Sequence, residues 1–271
     1  MTQVVDGLLA ETEAYYRSVE SIFILVEFWV RRTWNGGWDT YEFDKTFPPM
    51  LLAFYEASMT HALRARTALE SDLRLALEQR AFEVHYQPRV SVASHRIVGA
   101  EALVRWRHPT RGMIPPGEFI PLCESSGLIR ELGRQVFDQV AHQVARWAQQ
   151  GHALVVSVNM SSREFSDDNV PQQLAMALDA ARCEPALLQI EITESMLLGN
   201  DERPLETLRA IAAIGMSIAL DDFGTGYSNL AYLRRFPIQT LKIDRSFIQG
   251  LSENRALADL IVELCRLMNL T

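Results

Sequence analysis

Several side chains suited to holding a cation or moving a proton stand at the ends of short apolar runs. Asn159 closes VVSVN (155–159), Glu191 closes LLQIE (187–191), and Asp221 and Asp222 close SIALDD (217–222). Lys242 and Asp244 lie in TLKID (240–244), and Glu101 sits inside IVGAEALVRW (97–106). Four carboxylates and an amide gathered in a partly dry site repel one another strongly, and a divalent cation resolves the repulsion. All-oxygen donors favour Mg²⁺ or Mn²⁺ over Zn²⁺, and none of the His or Cys residues has ligand spacing. The adjacent Asp221 and Asp222 can face one metal each, and a metal pair suits in-line displacement at phosphorus. Lys242 beside them can position or deprotonate a water, a role that needs its pKa lowered, or can serve as an electrostatic partner of the acids. The alternative is that these acids are separate helix caps and surface ion pairs.

Other residues extend this pattern. Period two puts Glu101, Leu103 and Arg105 on one strand face, with Ala102, Val104 and Trp106 on the other. Glu101 and Arg105 are then roughly 13 Å apart at about 3.3 Å per residue, too far for direct contact. Each either pairs with a neighbouring strand or serves a ligand, Glu101 as metal donor and Arg105 as a bidentate phosphate fork. Lys242 and Asp244 share a face. Glu194, one turn past Glu191, can accept backbone N–H groups from FGTGYSNL (223–230), where Gly224 and Gly226 permit tight backbone. That loop lacks the Gly-Lys-Ser/Thr of a Walker motif.

A run that is apolar along its length and polar only at its tip is what a parallel β/α barrel needs, with the tip facing the mouth. The spacing predicts strands at 82–88, 97–106, 155–159, 187–191, 217–222 and 240–244. It predicts helices over 51–80, 129–149, 170–182, 203–214, 228–234 and 253–269. The Pro/Gly-rich segment 108–121 reads as a long loop. The expected fold class is therefore α/β, a TIM-type barrel with six of eight strands present, preceded by a helical N-terminal extension.

Three segments are expected: 1–50, aromatic-rich and of unknown role; a connector helix over 51–80; and a barrel domain over 81–271. The connector is read from Leu69, Leu73 and Leu77, four apart, and from the charged face of Arg64, Arg66, Glu70, Asp72 and Arg74. It can join domains, pair with a copy of itself in a homodimer, or pack on the barrel. The net charge of −8 argues against a DNA or RNA polymer as partner, but not against a small phosphorylated ligand. Three scattered cysteines suggest buried, reduced thiols. The apolar run 22–30 is broken by Glu27 and is about half the length of a bilayer span. Residues 1–20 lack a basic leader region, so a cytoplasmic location is expected.

Taken together, these segments resemble the EAL-domain family, phosphodiesterases of bacterial cyclic di-GMP signalling. The resemblance is carried by Glu101-Ala102-Leu103, YQP (86–88), 108–129, VNMS (158–161), EITES (191–195), DDFGTGYSNL (221–230) and LKIDRSFI (241–248). It implies a barrel whose first strand is antiparallel to the others. It implies metal ligation by Glu101, Asn159, Glu191 and Asp221, with Asp222 at a second metal. By the same resemblance Lys242 activates water, Glu194 stabilises a loop, and Gln87 and Arg105 contact cyclic di-GMP, which would be opened to the linear dinucleotide. Residues 54–77 look like the connector that follows an upstream GGDEF domain, although no GGDEF signature occurs. Asn229 and Cys123 stand where Ser and Ala are more familiar in the family. Family members continue into a strand with a further glutamate and a last segment with a substrate-contacting glutamine, both beyond Thr271. A non-catalytic nucleotide-binding or interaction module is the competing expectation.

Overall fold

A computed structural model describes residues 49–165, 167–197, 203–224, 235–244 and 251–271, with backbone alone at 49–63, 195 and 251–258. The readings of 1–48, of a short helix near 228–234, and of Gly226 and Asn229 fall outside these residues. The chain divides into two units, Met1–His61 and Ala62–Thr271. In the first, the described residues are one helical stretch from Pro49.

That stretch belongs to α1 (Pro49–Glu78). In the second unit Leu69, Leu73, Ala76 and Leu77 are buried while Arg64, Arg66 and Arg74 stay exposed, an apolar stripe at helical spacing. The helix ends where Arg80 turns left-handed (φ 52°). Ala81 N–H then donates to the Ala76 carbonyl and Arg80 N–H to that of Leu77, which closes the last turn.

Next come β1 (Phe82–Val90), β2 (Ile97–His108), β3 (Gly112–Ile114), α2 (Pro116–Ser126) and α3 (Ile129–Gln149). They are followed by β4 (Val155–Asn159), the short α4 (Ser162–Phe165), α5 (Val170–Ala181) and β5 (Leu188–Thr193). The described chain finishes with α6 (Arg203–Ile214), β6 (Ser217–Phe223), β7 (Thr240–Ile243) and α7 (Leu251–Met268). One correction to the sequence reading falls at 108–121, expected to be loop. Its first half folds back as β3, with Gly112 left-handed (φ 72°), and its second half begins α2 at a Pro in the first helical turn.

The strands order as β1-β2-β4-β5-β6-β7, with β3 paired off this path to β2. β1 is antiparallel to β2, and the successive neighbours from β2 to β7 are parallel. β2 and β7 are four strand steps apart, roughly 19 Å in a flat sheet at about 4.8 Å per step. Yet Lys242 Nζ lies 3.1 Å from Glu101 Oε2. The sheet therefore curls into a TIM-type barrel wall with an antiparallel first strand. Beside β7, the Thr271 N–H donates to the Gln239 carbonyl and its carbonyl accepts from Leu241, both at 2.9 Å, which are the two bonds of a parallel bridge.

The outer sheet face packs under helices. Phe82, Trp106 and Phe119 meet with ring centroids 5.6–5.7 Å apart. Cys123 and Cys183 are buried free thiols, and burial pushes their pKa values up to about 12 and about 11. The inner face carries a polar floor. Arg89 donates to Gln189 Oε1 (2.7 Å) and to the Val155 carbonyl (3.2 Å), and Gln189 Nε2 donates to Thr240 Oγ1 (2.9 Å). Gly99 makes room for this layer: an added Cβ would run into the Val155 carbonyl and the Arg89 guanidinium.

Candidate active site

Two residues further along β2, β5 and β7, the lining side chains change from uncharged to charged. Gln189 is succeeded by Glu191 on β5, Thr240 by Lys242 on β7 and Gly99 by Glu101 on β2, because alternate strand residues share a face. One carboxylate oxygen from each of Glu101, Glu191 and Asp221 lies within 4.8 Å of the others. Lys242 Nζ stands among them, 2.7 Å from Glu191 Oε2, 2.7 Å from Asp221 Oδ2 and 3.1 Å from Glu101 Oε2. Asn159, at the tip of β4, donates from Nδ2 to Glu101 Oε1 at 3.0 Å.

Three carboxylates against one ammonium leave the cluster electrostatically unbalanced. Glu191 is almost wholly buried (1% exposed); Lys242 holds its Oε2, and among the described residues its Oε1 has no hydrogen bond of acceptable geometry, the nearby Ser157 hydroxyl donating instead to the Ala100 carbonyl. Such an orphaned, buried carboxylate oxygen among other oxygens fits a divalent cation with oxygen ligands. Burial raises the Glu191 pKa against the opposing hydrogen bond from Lys242. Burial also works against the Lys242 charge, but hydrogen bonds to Asp221 and Glu191 outweigh it and hold the ammonium well above the ordinary lysine value. Asp222 is pushed up by burial and then by the neighbouring Asp221 and Asp244 carboxylates.

The remaining predicted residues surround this core. Gln87 pairs in register with Glu101 across β1 and β2. Arg105, four residues up β2, donates to the Val104 carbonyl at 2.9 Å and so lies outside the carboxylate cluster. Glu194 Oε2 accepts the Gly224 N–H at 3.3 Å, which ties the end of β5 to the turn after β6. Asp244 follows β7, two residues past Lys242.

One residue near the site escaped the sequence reading. Glu164 is buried, accepts both the N–H and the Oγ–H of Ser161 at 2.7 Å, and lies against Gly133 of α3. It lines a small cleft of about 40 Å³ between α3 and α5 that also touches Asn159. The available signal was the Ser-x-x-Glu spacing of a capping box at 161–164.

The fold and the site define a curled α/β barrel with a carboxylate cluster able to hold a divalent cation at the mouth formed by its parallel strands. The EAL domain model matches residues 70–271, and the chain belongs to the EAL-domain family. Among curated relatives, the bifunctional diguanylate cyclase/cyclic di-GMP phosphodiesterase MucR of Pseudomonas aeruginosa is 41% identical over 221 residues, 80% of this chain and 32% of MucR. The cyclic di-GMP phosphodiesterase PdeR of Escherichia coli is 40% identical over 205 residues, 74% of this chain and 31% of PdeR. The chain thus spans about a third of the length of these relatives. The solved structure of the PaMucR phosphodiesterase in complex with c-di-GMP aligns with a TM-score of 0.71 at 42% identity, over 74% of this chain and 83% of that one. No helix among the described residues is long and apolar enough to cross a membrane.

Proposed function

We propose that the barrel is a metal-dependent phosphodiesterase that opens cyclic di-GMP to the linear dinucleotide. The observation that carries this reading is the Glu101–Glu191–Asp221 cluster with its unpartnered buried oxygen, in a family whose relatives are named for that activity. Bound Mg²⁺ or Mn²⁺ ions would supply an activated water and counter-charge for the leaving oxygen. Glu101, Asn159, Glu191 and Asp221 would hold one ion and Asp222 a second.

Lys242 would orient the attacking water. The hydrogen bonds that keep its ammonium charged come from Asp221 and Glu191. If those carboxylates turn to a cation, that support is withdrawn and Nζ becomes able to take the water's proton. Arg105 and Gln87, on the β1–β2 arm beside Glu101, would receive the substrate phosphate and sugar. Glu194 would hold the turn at Gly224 in place, and Asp244 adds negative charge near Asp222. The protein would act in the cytoplasm, with α1 as connector to an upstream GGDEF-type or sensor domain or as a homodimer contact. MucR is named for both cyclase and phosphodiesterase activities and is matched over 32% of its length, which leaves room for such a domain.

The test is cleavage of cyclic di-GMP with Mg²⁺ or Mn²⁺ by the wild-type chain and by Glu101→Ala. Wild type should yield linear dinucleotide and the variant should lose the activity; equal rates would overturn the proposal. Nucleotide binding without cleavage by wild type would instead assign a sensor module.

A further inference from the structure

Successive residues of a strand point to opposite faces, so if Asp221 faces the barrel mouth, Asp222 should face away. The β6–β7 pairing departs from this. Leu220 pairs with Leu241 and Phe223 with Ile243, so Asp221 and Asp222 together stand opposite Lys242. This is a one-residue bulge, and its extra residue is Asp222, whose backbone is left-handed at φ 53°. From that conformation the Asp222 N–H donates to Asp221 Oδ1 at 2.9 Å, while Lys242 holds Asp221 Oδ2 at 2.7 Å. Each oxygen of Asp221 is therefore fixed from a different side, one by a charge and the other by a backbone amide.

We infer that Asp222 is a positioning residue acting through its backbone: its left-handed bulge aims the Asp221 carboxylate into the Glu101–Glu191–Asp221 cluster. This role is separate from any use of the Asp222 carboxylate as a ligand, and it rests on reading the cluster as a cation site. Left-handed backbone is open to Gly and, among residues with a Cβ, favours Asn and Asp. The residue type at 222 is then set by φ as well as by charge.

Four variants separate the two roles. Asp222→Gly and Asp222→Ala both lack the carboxylate, but only Gly adopts the left-handed conformation freely. Asp222→Asn and Asp222→Ser form a second pair, also uncharged, of which Asn tolerates the conformation and Ser does not; this pair carries the comparison if the Ala variant does not fold. The readout is Mn²⁺ affinity at the tighter site, by calorimetric titration of the full chain, with thermal unfolding as the folding control. Gly should bind about five- to thirtyfold more tightly than Ala at that site, and Asn more tightly than Ser by a similar factor, whatever all four variants lose with the carboxylate; this is the factor a left-handed penalty of this size implies. Equal affinities for Gly and Ala, and for Asn and Ser, would overturn the inference while leaving the cation reading intact. A wild-type chain that binds no Mn²⁺ would overturn the cation reading itself.

Discussion

The floor and the mouth of the barrel are both polar layers inside one sheet, two residues apart along the same strands, yet they behave oppositely. In the floor, the Arg89 guanidinium meets an amide oxygen and a carbonyl, and the same amide donates onward to Thr240. In the mouth, Glu101, Glu191 and Asp221 converge on the single ammonium of Lys242, and a buried Glu191 oxygen is left over. The difference teaches where ligand binding comes from. A polar layer whose donors and acceptors are matched locks strands together. One with surplus negative charge is a site waiting for a cation.

The largest break should come from the mouth. Lys242→Ala removes the one ammonium that, among the described residues, reaches all three carboxylates, and should destabilise the metal-free protein by about 3–5 kcal/mol, as breaking a buried ion pair does. Saturating Mn²⁺ should restore about 2.7 kcal/mol at a hundredfold excess over Kd. Melting temperatures with and without Mn²⁺ check this, and a variant deaf to the metal would contradict the cation reading of the mouth.

The floor should fail differently. Gly99→Ala forces a Cβ into the Val155 carbonyl and Arg89, and overpacking of this kind is expected to lower stability by about 1–3 kcal/mol. Denaturant titration should show the loss, and Mn²⁺ should stabilise wild type and variant equally, because Arg89, Gln189 and Thr240 offer no carboxylate to a cation. A metal-specific rescue would mean that the two layers are coupled.

The smallest effect sharpens the contrast with a third buried acid. Glu164 is held by Ser161 rather than by a cation, and burial raises its pKa. An acid whose folded pKa is raised binds its proton more tightly in the folded state, so stability falls as pH climbs above the ordinary glutamate value and is unaffected below it. Glu164→Gln should therefore gain on wild type as pH rises from about 4, where glutamate ordinarily ionises, toward neutrality. Parallel stability curves over that interval would show that Glu164 ionises without penalty.

Much of the molecule was legible before folding was considered. The helix over 129–149 and the strand 155–159 match α3 and β4 residue for residue, because strong apolar periodicity and a Gly just beyond the helix leave little freedom. The segment 108–121 was not legible as a hairpin plus helix, since its prolines and glycines signal breaks without saying that the backbone resumes order between them. The floor was missed altogether: an arginine at 89 and a glutamine at 189 carry no local mark of being partners. Glu164 was overlooked because one glutamate after a serine looks the same whether buried or exposed.

The sequence by itself determined which residues reach the strand tips and that the tips are acidic, because a period of two and an apolar run suffice for that. Only the tertiary structure decided that the tips meet. Glu101 and Lys242 are 141 residues apart, and only curling of the sheet brings them together. Tertiary structure also decided how Asp221 and Asp222 share the β6 edge opposite Lys242: alternation alone sends neighbours to opposite faces, and a left-handed residue in a bulge, which depends on the register between two strands, sets that rule aside.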